Sequence, residues 1–575
     1  MSGFTNSGEN AGLNVKLWRG ERMCLVGMDV QEPEADFVGF TIEVRSPGES
    51  SYLALRNRLN FDYKKQAGKA VDGFRNFPST QAPFQKFRWV HFPYDPKGGN
   101  YVYRITKQHM PSDNKLVSGS SVSLDIQLDP VVYDNFLDVG FTRNFASSQA
   151  YVDKYGNNTK VIPTIANKGL KFKKAKGDVY QWLGFEAYEL IFDFLDEVVR
   201  DKSLSLDFFA YDLNERDIVD RLRRIGGRLR AIIDDSKDHK LTTSAESQAA
   251  KILLASAGTG NVKRMHFHNL QHNKVLIARR NGKPEKVLFG STNFSFRGIY
   301  VQANNAMVFH APDAAALFEK AFELAFSDPT SFEKDPLSRQ WHLVSVSGMP
   351  SVHFCFSPHD STDLSLGPVG GAIDQATSSV FFAIAFLYQT KSGPVREAVD
   401  RLMKKKLFSY GISDQKGSLE IKKPDGSIGT VRYSYLAAKA PEPFKAEWSG
   451  GKGIHEHDKF VVTDFNLPTA KVFSGSSNLS PSGEKNNGDN LVMIEDQRVA
   501  TSYAIEALRV FDHLHFRLRM QDAKGKKNVP KAKKSGTSDR LTLQKPEAIT
   551  GKPAWFEDFY QEGTQAENDR KLFSH

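Results

Sequence analysis

The chain has 575 residues, of which 40% are hydrophobic and 25% are charged, and its formal net charge is +10. This length exceeds what one hydrophobic core accommodates, and the composition excludes collagen-like and wholly disordered proteins. The positive charge indicates an anionic partner, although six of the lysines lie in one short segment, residues 523–534.

The cysteines and the N-terminus exclude further classes. Cys24 and Cys355 lie far apart and outside any CxxC pattern, so neither a disulfide framework nor a zinc knuckle is predicted. The first residues lack the basic and then apolar pattern of a signal peptide, and no run of 18 apolar residues occurs. We therefore expect a cytoplasmic protein.

Short strands dominate the prediction for the N-terminal part of the chain. Residues 122–129 (VSLDIQLD) alternate apolar and polar side chains, as a half-buried strand does. Residues 37–44 (FVGFTIEV) are rich in β-branched and aromatic side chains, which favour strands. The pattern predicts an N-terminal β-sandwich-like domain over residues 1–165.

Helices and strands alternate from about Tyr180 onwards, and the alternation occurs twice. SLDFFAY, RDIVDRLRRI and RLRAIID predict strand, helix and strand, and SVFFAIAF, PVREAVDRLMKK and LFSYGIS repeat this order. The tetrapeptide Val-Asp-Arg-Leu stands at 219–222 and again at 399–402. We predict a duplicated α/β fold with parallel sheets and crossover helices. The predicted units are lobe 1 at 166–345, lobe 2 at 346–520, and a Lys-rich linker with a C-terminal segment at 521–575.

A polar pattern repeats at nearly the same offset as this tetrapeptide. His272 and Lys274 are followed by Asn293, which closes a Gly-Ser-Thr-Asn turn. The second copy, at His457, Lys459 and Asn478, has the same spacing throughout. Because the offset between these copies and the offset between the tetrapeptides agree within five residues, they indicate an internal duplication.

The residue types in this pattern suit a phosphodiester. An apolar run follows each His-x-Lys, so both pairs are predicted on strands, where the two side chains share one face. Ammonium groups, with amide and hydroxyl donors from the turns, stabilise an oxyanion that carries delocalised charge. The turn residues predicted to act on the substrate are Asn293, Asn478, Ser291 and Ser476.

The paired motifs resemble the HxK(x4)D and GSxN motifs of the phospholipase D superfamily, over roughly residues 170–520. The resemblance implies two α/β lobes packed face to face, with the active site at their interface. It also implies metal-independent cleavage of phosphodiesters through a phosphohistidine intermediate, without a cofactor. Asp464 occupies the family's Asp position in the second copy as a supporting residue. Arg279 stands there in the first copy, which resembles the Asp-less motifs of tyrosyl-DNA phosphodiesterases.

In this family a further residue, about 32 positions after each histidine, supports the imidazole. Asn304 and Asp489 occupy those positions, and the offset between them equals that between the two histidines. We expect Asp489 to favour the charged form of His457, and Asn304 to leave His272 neutral. On this hypothesis His272 is the nucleophile, and His457 is the general acid and then the base that activates water.

Other polar residues have simpler interpretations. His266, His268 and His455 are common ligand types, but no acid or cysteine stands at a matching spacing, so we expect surface or rim residues and no metal site. For the segment FSPHD (356–360) a plain loop is the first expectation, and a contribution to the cleft rim is the alternative. Arg143, between the β-rich domain and lobe 1, is equally consistent with a substrate contact and an interdomain salt bridge.

The motifs specify a phosphodiester but not the groups attached to it. Both copies lie in one chain, as in phospholipases, related lipid enzymes and tyrosyl-DNA phosphodiesterases, so a monomer is sufficient for one active site. Phospholipid hydrolysis is the first expectation. A nuclease or DNA-end-processing phosphodiesterase is the alternative, favoured by Arg279 and by the Lys-rich segment, which could contact nucleic acid or an anionic membrane. A non-catalytic scaffold is a third option, against which the intact residues of both copies argue.

Overall fold

The computed structural model of the chain describes residues 4–62, 76–130, 132–155, 170, 177–414, 422–432, 456–525 and 542–575. His455 and most of the Lys-rich segment lie outside these residues. The described residues form an N-terminal β-domain, two α/β lobes and a C-terminal segment, which confirms the predicted fold class. Among them, no helix is both long and apolar enough to cross a lipid bilayer.

The N-terminal domain consists of short antiparallel strands. They are β1 (Thr5–Asn10), β2 (Leu13–Arg19), β3 (Cys24–Val30), β4 (Phe37–Arg45), β5 (Leu53–Ala54), β6 (Arg56–Asn57), β7 (Phe77–Pro78), β8 (Arg88–His91), β9 (Asn100–His109) and β10 (Val117–Gln127). They form two sheets, in the orders β1-β2-β3-β8 and β10-β9-β4-β5, beside the β6-β7 ribbon. Inward side chains of both sheets, such as Val15, Met28, Ile42 and Ile105, share one core, as in a sandwich.

Lobe 1 is built on one sheet with the order β11-β18-β17-β16-β12-β13-β14. Its strands are β11 (Leu137–Phe141), β12 (Leu204–Ala210), β13 (Leu229–Asp234), β14 (Val262–Met265), β15 (Leu270–Gln271), β16 (Val275–Arg280), β17 (Lys283–Gly290) and β18 (Asn305–Phe309). Its helices are α1 (Ser148–Tyr155), α2 (Val179–Arg200), α3 (Arg216–Ile225), α4 (Ala245–Ala257), α5 (Phe296–Tyr300) and α6 (Pro312–Ser327). Because β11 belongs to this sheet, lobe 1 begins before the boundary predicted at residue 165.

The sheet of lobe 1 is mixed rather than parallel. β12, β13 and β14 run parallel and are connected through α3 and α4, as predicted. The strands β16, β17, β18 and β11 are antiparallel to their neighbours. The reason is local, since Asn281 and Gly282 both have positive φ and join β16 to β17 in a tight turn, which reverses the chain. The prediction of parallel strands is therefore wrong for this half of the sheet.

Lobe 2 repeats the sheet of lobe 1. Its strands are β19 (His342–Val344), β20 (Ser351–Ser357), β21 (Ser379–Ile384), β22 (Phe408–Ser413), β23 (Thr430–Arg432), β24 (Lys459–Thr463), β25 (Lys471–Gly475) and β26 (Asn487–Glu495). Its helices are α7 (Thr362–Gln375), α8 (Pro394–Leu402), α9 (Pro481–Asn486) and α10 (Gln497–Gly525). The order β20-β26-β25-β24-β21-β22-β23 matches that of lobe 1 strand for strand, with β19 added at the edge.

Aromatic side chains connect the two lobes. Phe289 and Phe309 of lobe 1 contact Phe354 of lobe 2, with ring centroids 5.8 and 5.5 Å apart. Tyr503 of α10 contacts Phe141 of lobe 1 at 5.1 Å and is fully buried. One continuous apolar core therefore spans both lobes, and they pack face to face.

The C-terminal segment returns to the N-terminal domain. It contains α11 (Glu547–Thr550) and α12 (Gln565–Ser574). The indole N–H of Trp18 donates to Phe573 O at 2.8 Å. The ring of Phe573 also contacts Phe408 and Phe465 of lobe 2, both at 5.7 Å. Helix α12 thus lies between the β-domain and lobe 2.

Candidate active site

Each His-x-Lys segment pairs with the opposite lobe. In lobe 1, β15 precedes His272 and runs parallel to β26, and the backbone N–H of His272 donates to Gly488 O at 2.9 Å. In lobe 2, Glu456 bridges to Ala303, and the N–H of His457 donates to Ala303 O at 3.1 Å. The two backbone contacts involve corresponding residues of the two motif copies. The motifs therefore meet at the lobe interface.

The motif residues mostly precede the predicted strands. His272 and Lys274 come just before β16, and His457 comes just before β24, whose first residue is Lys459. The prediction that each pair lies on a strand is therefore wrong except for Lys459. The cause is the exchange between lobes, because the backbone of each histidine bonds to the other lobe before the chain enters its own sheet.

The residues that support the imidazoles also come from the opposite lobe. His272 Nδ1 lies 2.7 Å from Asp489 Oδ1, and His457 Nδ1 lies 2.9 Å from Asn304 Oδ1. The predicted pairing of Asp489 with His457 and of Asn304 with His272 is wrong. Within one lobe β17 separates β16 from β18, and β25 separates β24 from β26, so the supporting residue lies two strands from its own histidine.

The hydrogen bonds fix the same tautomer on both rings. A carboxylate only accepts, so Asp489 requires a proton on Nδ1 of His272. Asn304 donates from Nδ2 to Gly298 O at 2.9 Å, which leaves its Oδ1 to accept from Nδ1 of His457. Each ring therefore keeps Nε2 for chemistry in the cleft.

The two lysines are buried ammonium groups beside the histidines. Lys459 Nζ donates to His457 O at 2.6 Å, and Lys274 Nζ makes the equivalent bond to His272 O. Burial lowers the pKa of Lys274 to about 8. Burial and the charge of Lys274 lower the pKa of Lys459 well below its usual value. Two cations that repel each other in one buried cleft provide a site for an anion.

Electrostatics also place both histidines in this cleft. Burial, followed by the charges of Lys459 and Lys274, lowers the pKa of His457 well below its usual value. Burial lowers the pKa of His272 too, while the carboxylate of Asp489 opposes that effect. Although burial disfavours its charge, Asp489 keeps a lowered pKa because it contacts His272. The structure thus brings together residues predicted from both copies of the motif.

The predicted turn residues divide into two groups. Asn293 is buried and donates from Nδ2 to Asp212 Oδ2 at 2.9 Å, and Asn478 is only partly buried. Ser291 and Ser476 are fully buried, and each hydroxyl accepts a backbone N–H at 3.0 Å. The hydroxyl of Ser476 also donates to Asp489 Oδ1 at 2.7 Å. Both hydroxyls are hydrogen-bonded within the protein, and substrate binding by the two serines stays a prediction.

A family comparison matches part of lobe 1. Residues 202–325 match a family model described as a cardiolipin synthase, PLD-like domain. The chain carries a domain of the phospholipase D superfamily. A comparison with curated proteins gives no match.

Solved structures that match this chain include three kinds of enzyme. Phosphatidylserine synthase from Haemophilus influenzae is 12% identical over 56% of this chain and 84% of its own, with a TM-score of 0.39. Polyphosphate kinase from Porphyromonas gingivalis is 11% identical over 63% of this chain, with a TM-score of 0.38, and the match spans about half of the kinase, 52%. A yeast tyrosyl-DNA phosphodiesterase is 13% identical over 52% of this chain and 84% of its own, with a TM-score of 0.28.

Asp464, predicted to support the second phospholipase D-like motif, binds backbone away from the imidazoles. It follows β24, and its carboxylate accepts the N–H groups of Thr377, Ser378 and Ser379 at 3.0, 2.7 and 3.2 Å. These residues lead into β21. The carboxylate thus joins the end of β24 to the start of β21, one strand length from Lys459.

Arg279 occupies the equivalent position of lobe 1. Its guanidinium lies 3.4 Å from Asp207 of β12 and 3.5 Å from Glu319 of α6. Asp207 is fully buried and also bonds to Arg230. An ion pair behind the sheet therefore takes the place of the Asp in the first phospholipase D-like motif.

The sequence prediction does not include the residue that follows each histidine or its hydrogen-bond partner in the opposite lobe. Asn273 Oδ1 accepts from Asn490 Nδ2, and Asp458 Oδ1 accepts from Asn305 Nδ2, both at 2.8 Å. The two bonds are equivalent under the offset between the motif copies, which could have revealed them. They differ in chemistry, since Asp458 can ionise and Asn273 cannot, and burial and the nearby Glu506 raise the pKa of Asp458 to about 7.

The segments at Arg143 and FSPHD occupy corresponding places in the two lobes. The hydroxyls of Thr142 and Ser357 donate to the carbonyls of Gln302 and Asn487, at 2.7 and 3.0 Å, just after β11 and at the end of β20. Phe356 and Ser357 of FSPHD belong to β20, and the predicted loop begins at Pro358. The hydroxyls of Thr142 and Ser357 anchor the backbone two residues before the supporting residues Asn304 and Asp489.

Arg143 itself lies in an aromatic box. Its guanidinium is 4.4, 4.3 and 4.4 Å from the ring centroids of Phe92, Trp182 and Phe185, and Nη2 donates to Tyr94 O at 2.9 Å. Burial lowers its pKa to about 9. The predictions of a substrate contact or an interdomain salt bridge are wrong, because cation–π contacts hold this side chain in the interior.

One group of side chains has the donor types of a metal site. Asp212, His239 and Glu246 offer ligand atoms that lie within 4.8 Å of one another. The histidines considered from sequence behave differently, because His266 and His268 are about half exposed and pair with Asp235 and Glu333. Among the described residues this donor set lies beside Asn293, whereas His266 and His268 are at the surface, where they were expected.

Proposed function

We propose that the chain is a metal-independent phosphodiesterase that acts through a phosphohistidine intermediate. The observation that supports this best is the exchange of supporting residues between lobes. It leaves two imidazoles with free Nε2 atoms in one cleft that also holds two buried ammonium groups. Such a cleft can bind a diester anion, attack its phosphorus and protonate its leaving group.

In the first step, His272 is the nucleophile. The lone pair on its Nε2 forms a bond to phosphorus, and the bond from phosphorus to one ester oxygen breaks. The leaving oxygen takes the proton from Nε2 of His457. The product is an N-phosphorylated ring with positive charge, and the carboxylate of Asp489 at Nδ1 stabilises that charge.

In the second step, water releases the intermediate. His457, now neutral, takes a proton from water as the oxygen attacks phosphorus, and the bond from phosphorus to Nε2 of His272 breaks. A phosphomonoester leaves, and both rings return to their starting states. An alcohol in place of water would give transfer instead of hydrolysis by the same route.

Because the partners are the reverse of those predicted, the roles no longer rest on a neutral His272, and they rest instead on which partner stabilises a phosphorylated, positively charged ring. Asp489 is an anion and favours positive charge on His272, whereas Asn304 is neutral and contributes no such preference to His457. After burial, the lysines are what lower the pKa of His457. A diester anion bound between the lysines offsets that repulsion, so His457 takes up its proton as substrate binds.

We propose phospholipids as the substrate class, with nucleic acid as the alternative. The matching family model carries the name of cardiolipin synthase, an enzyme named for a phospholipid. For nucleic acid, the argument is the Asp-less first motif, in which Arg279 is bound behind the sheet. The Lys-rich segment would add attraction to either anionic surface.

A substrate panel in chelator tests this function. Phosphatidylcholine vesicles, cardiolipin vesicles, plasmid DNA and oligonucleotides are each incubated with wild type, His272→Ala and His457→Ala. The matched control is His310→Ala, because His310 also pairs with a carboxylate, Asp138 at 2.7 Å, but at the opposite end of β18 from Asn304.

We expect turnover of phospholipid by wild type and by His310→Ala, and none by the other two variants. Turnover of nucleic acid alone would contradict phospholipids as the substrate class but would remain consistent with the proposed mechanism. An inert wild type, on this panel and on bis-p-nitrophenyl phosphate, would instead support a scaffold and contradict the proposal.

A further inference from the structure

A polar network lies behind Asn293 in lobe 1. It consists of Asp212, just after β12, Asp234 at the end of β13, and His239 in the following turn. His239 Nδ1 lies 2.8 Å from Asp234 Oδ2, and its Nε2 lies 3.2 Å from Asp212 Oδ1. Glu246 of α4 is the next acidic group, 3.9 Å from Nε2. Asp234 is fully buried, whereas the side chains of His239 and Asp212 are 16% and 32% exposed.

The geometry requires a doubly protonated ring at His239. A carboxylate at hydrogen-bond distance from each nitrogen can only accept, so both nitrogens must donate. Although burial opposes the charge, Asp212 and Asp234 raise the pKa of His239 to about 10. The imidazolium is therefore the cation that neutralises these two acids.

Asp212 connects His239 to Asn293 in the cleft. Its Oδ1 faces His239, and its Oδ2 accepts from Nδ2 of Asn293 at 2.9 Å. Because the carboxylate cannot donate, the amide of Asn293 is held with Nδ2 towards Asp212. The second hydrogen on Nδ2 remains for a phosphate oxygen.

The same network reaches the nucleophile. Asp234 Oδ1 accepts the backbone N–H of Gln271, which precedes His272, at 2.8 Å. The ring of Tyr211 lies between two histidine rings, 4.7 Å from His239 and 4.9 Å from His272. One set of contacts thus connects the backbone before His272 with the side chain of Asn293.

Among the described residues of lobe 2, a hydrophobic side chain stands where lobe 1 has Asp212. Phe386 lies beside Lys459, with 5.9 Å from Nζ to the ring centroid, as Tyr211 lies beside Lys274 at 5.1 Å. The next residue after Phe386 is the buried Leu387, which offers no acceptor. Among the described residues, Oδ1 of Asn293 and Oδ1 of Asn478 both lack a hydrogen-bond partner, so the difference between the lobes is the bond from Asn293 Nδ2 to Asp212. The two halves of the cleft therefore hold their amides differently.

We propose that His239, clamped between Asp212 and Asp234, is a positioning residue that fixes the Asn293 amide for the substrate phosphate. This inference rests on the proposed function, because it assigns Asn293 to a phosphate oxygen. His239 acts through Asp212 and does not itself contact the reacting atoms. In the proposed enzyme, lobe 1 provides the rigid amide donor and lobe 2 the adaptable one.

A divalent cation is the competing occupant of this cluster. Asp212, His239 and Glu246 have suitable donor atoms, and the bond from His239 Nδ1 to Asp234 resembles the outer support of a metal-bound histidine. A metal would have to replace the proton on Nε2 of His239. The two occupants make opposite predictions for metal content and for the effect of chelator.

A double-mutant cycle tests the proposal. kcat/KM for bis-p-nitrophenyl phosphate is measured in chelator for wild type, His239→Ala, Asn293→Ala and the double variant. We expect His239→Ala to lower kcat/KM about tenfold, the loss expected for one hydrogen bond to a charged group. We expect no further loss when His239→Ala is added to Asn293→Ala. The inhibition constant of inorganic phosphate should rise with the same non-additive pattern.

The control is His266→Ala, since His266 also pairs with a carboxylate, Asp235 at 2.6 Å, but is about half exposed. It should leave kcat/KM unchanged. Additive losses in the cycle, in variants that melt as wild type does, would overturn the proposal. So would stoichiometric divalent metal in the purified protein that is absent from His239→Ala. An inert wild type would contradict the phosphodiesterase itself, and NMR of labelled histidines would then still report whether His239 is doubly protonated at pH 8.

Discussion

His272 donates its Nδ1 proton to a carboxylate, and His457 donates its Nδ1 proton to an amide. The rings are otherwise placed alike, each with its backbone bonded to the opposite lobe. The difference of one formal charge is what separates the nucleophile from the acid in the proposed mechanism. The hydrogen bond at Nδ1 of each ring comes from the opposite lobe.

The buried lysines predict an unusual alkaline limit for activity. An ammonium is lost as pH rises through its pKa, and burial lowers the pKa of Lys274 to about 8 and that of Lys459 well below its usual value. kcat/KM for a diester, which reports the free enzyme, should therefore fall at about pH 8 or lower. A bound anion favours the charged lysines, so the limit for kcat should lie at higher pH.

The measurement is a pH profile at constant ionic strength, with circular dichroism as the control for folding at each pH. Full kcat/KM maintained to pH 9.5 would contradict the account of two buried ammonium groups in one cleft.

The identities of the central site residues could be predicted from sequence, but their contacts could not. The spacing shared by the two copies identifies His272, His457 and both lysines, because a repeated spacing can be read from the sequence without knowing the fold. The partner of each histidine depends on which strands exchange between lobes. No spacing within one copy contains that information, so Asp489 was assigned to the wrong ring.

At the scale of elements, the Asp of the motif holds two strands together. Asp464 accepts three backbone N–H groups at the entry to β21. It lies five residues after Lys459, about 15 Å along a strand. Its role is therefore one of stability and not of phosphate binding.

Asp464→Ala should lower the free energy of unfolding by about 2 kcal/mol, the loss expected when hydrogen bonds to a charged group are removed. kcat/KM well below the melting temperature should stay within about twofold, because the cleft is untouched. Thermal melting and kinetics are compared with Asp220→Ala, an exposed surface control. Loss of kcat/KM in a fully folded variant would contradict a purely structural role for Asp464.

Helices and strands were predictable where local pattern decides them. The alternating segments after Tyr180 predict the parallel half of each sheet with its crossover helices. The periodicity of apolar residues distinguishes a helix from a strand within a short segment. The antiparallel half follows from the turn at Asn281 and Gly282 and from pairing across long distances in sequence. Strand β11 joins lobe 1 through β18, a partner so distant along the chain that no local pattern indicates it.

At the scale of the whole molecule, Arg88 links the β-domain to the second lobe and the C-terminus. Its guanidinium donates to Asp512 of α10, with 3.0 Å from Nη2 to Oδ1, and to Asp569 of α12. Although burial opposes the charge, Arg88 lowers the pKa of Asp512 to about 2. Both acids thus depend on one buried cation.

Arg88→Met should destabilise the protein by about 3 kcal/mol, because it leaves two carboxylates without their cation in the interior. The control is Lys86→Met, since Lys86 lies 3.4 Å from the same Asp512 but is 41% exposed, and should cost less than about 1 kcal/mol. Melting temperatures and limited proteolysis of the C-terminal segment are compared. Equal melting temperatures for the two variants would contradict a structural role for Arg88.

The central claim is that both lobes act on one phosphorus atom and that His272 carries it. The direct measurement is mass spectrometry of the enzyme quenched in base during turnover, with the modified residue located by peptide mapping. The account predicts a substrate-derived phosphoryl group on His272 and none in His272→Ala. A phosphoryl group on His457 in active enzyme, or turnover with no histidine adduct at all, would contradict it.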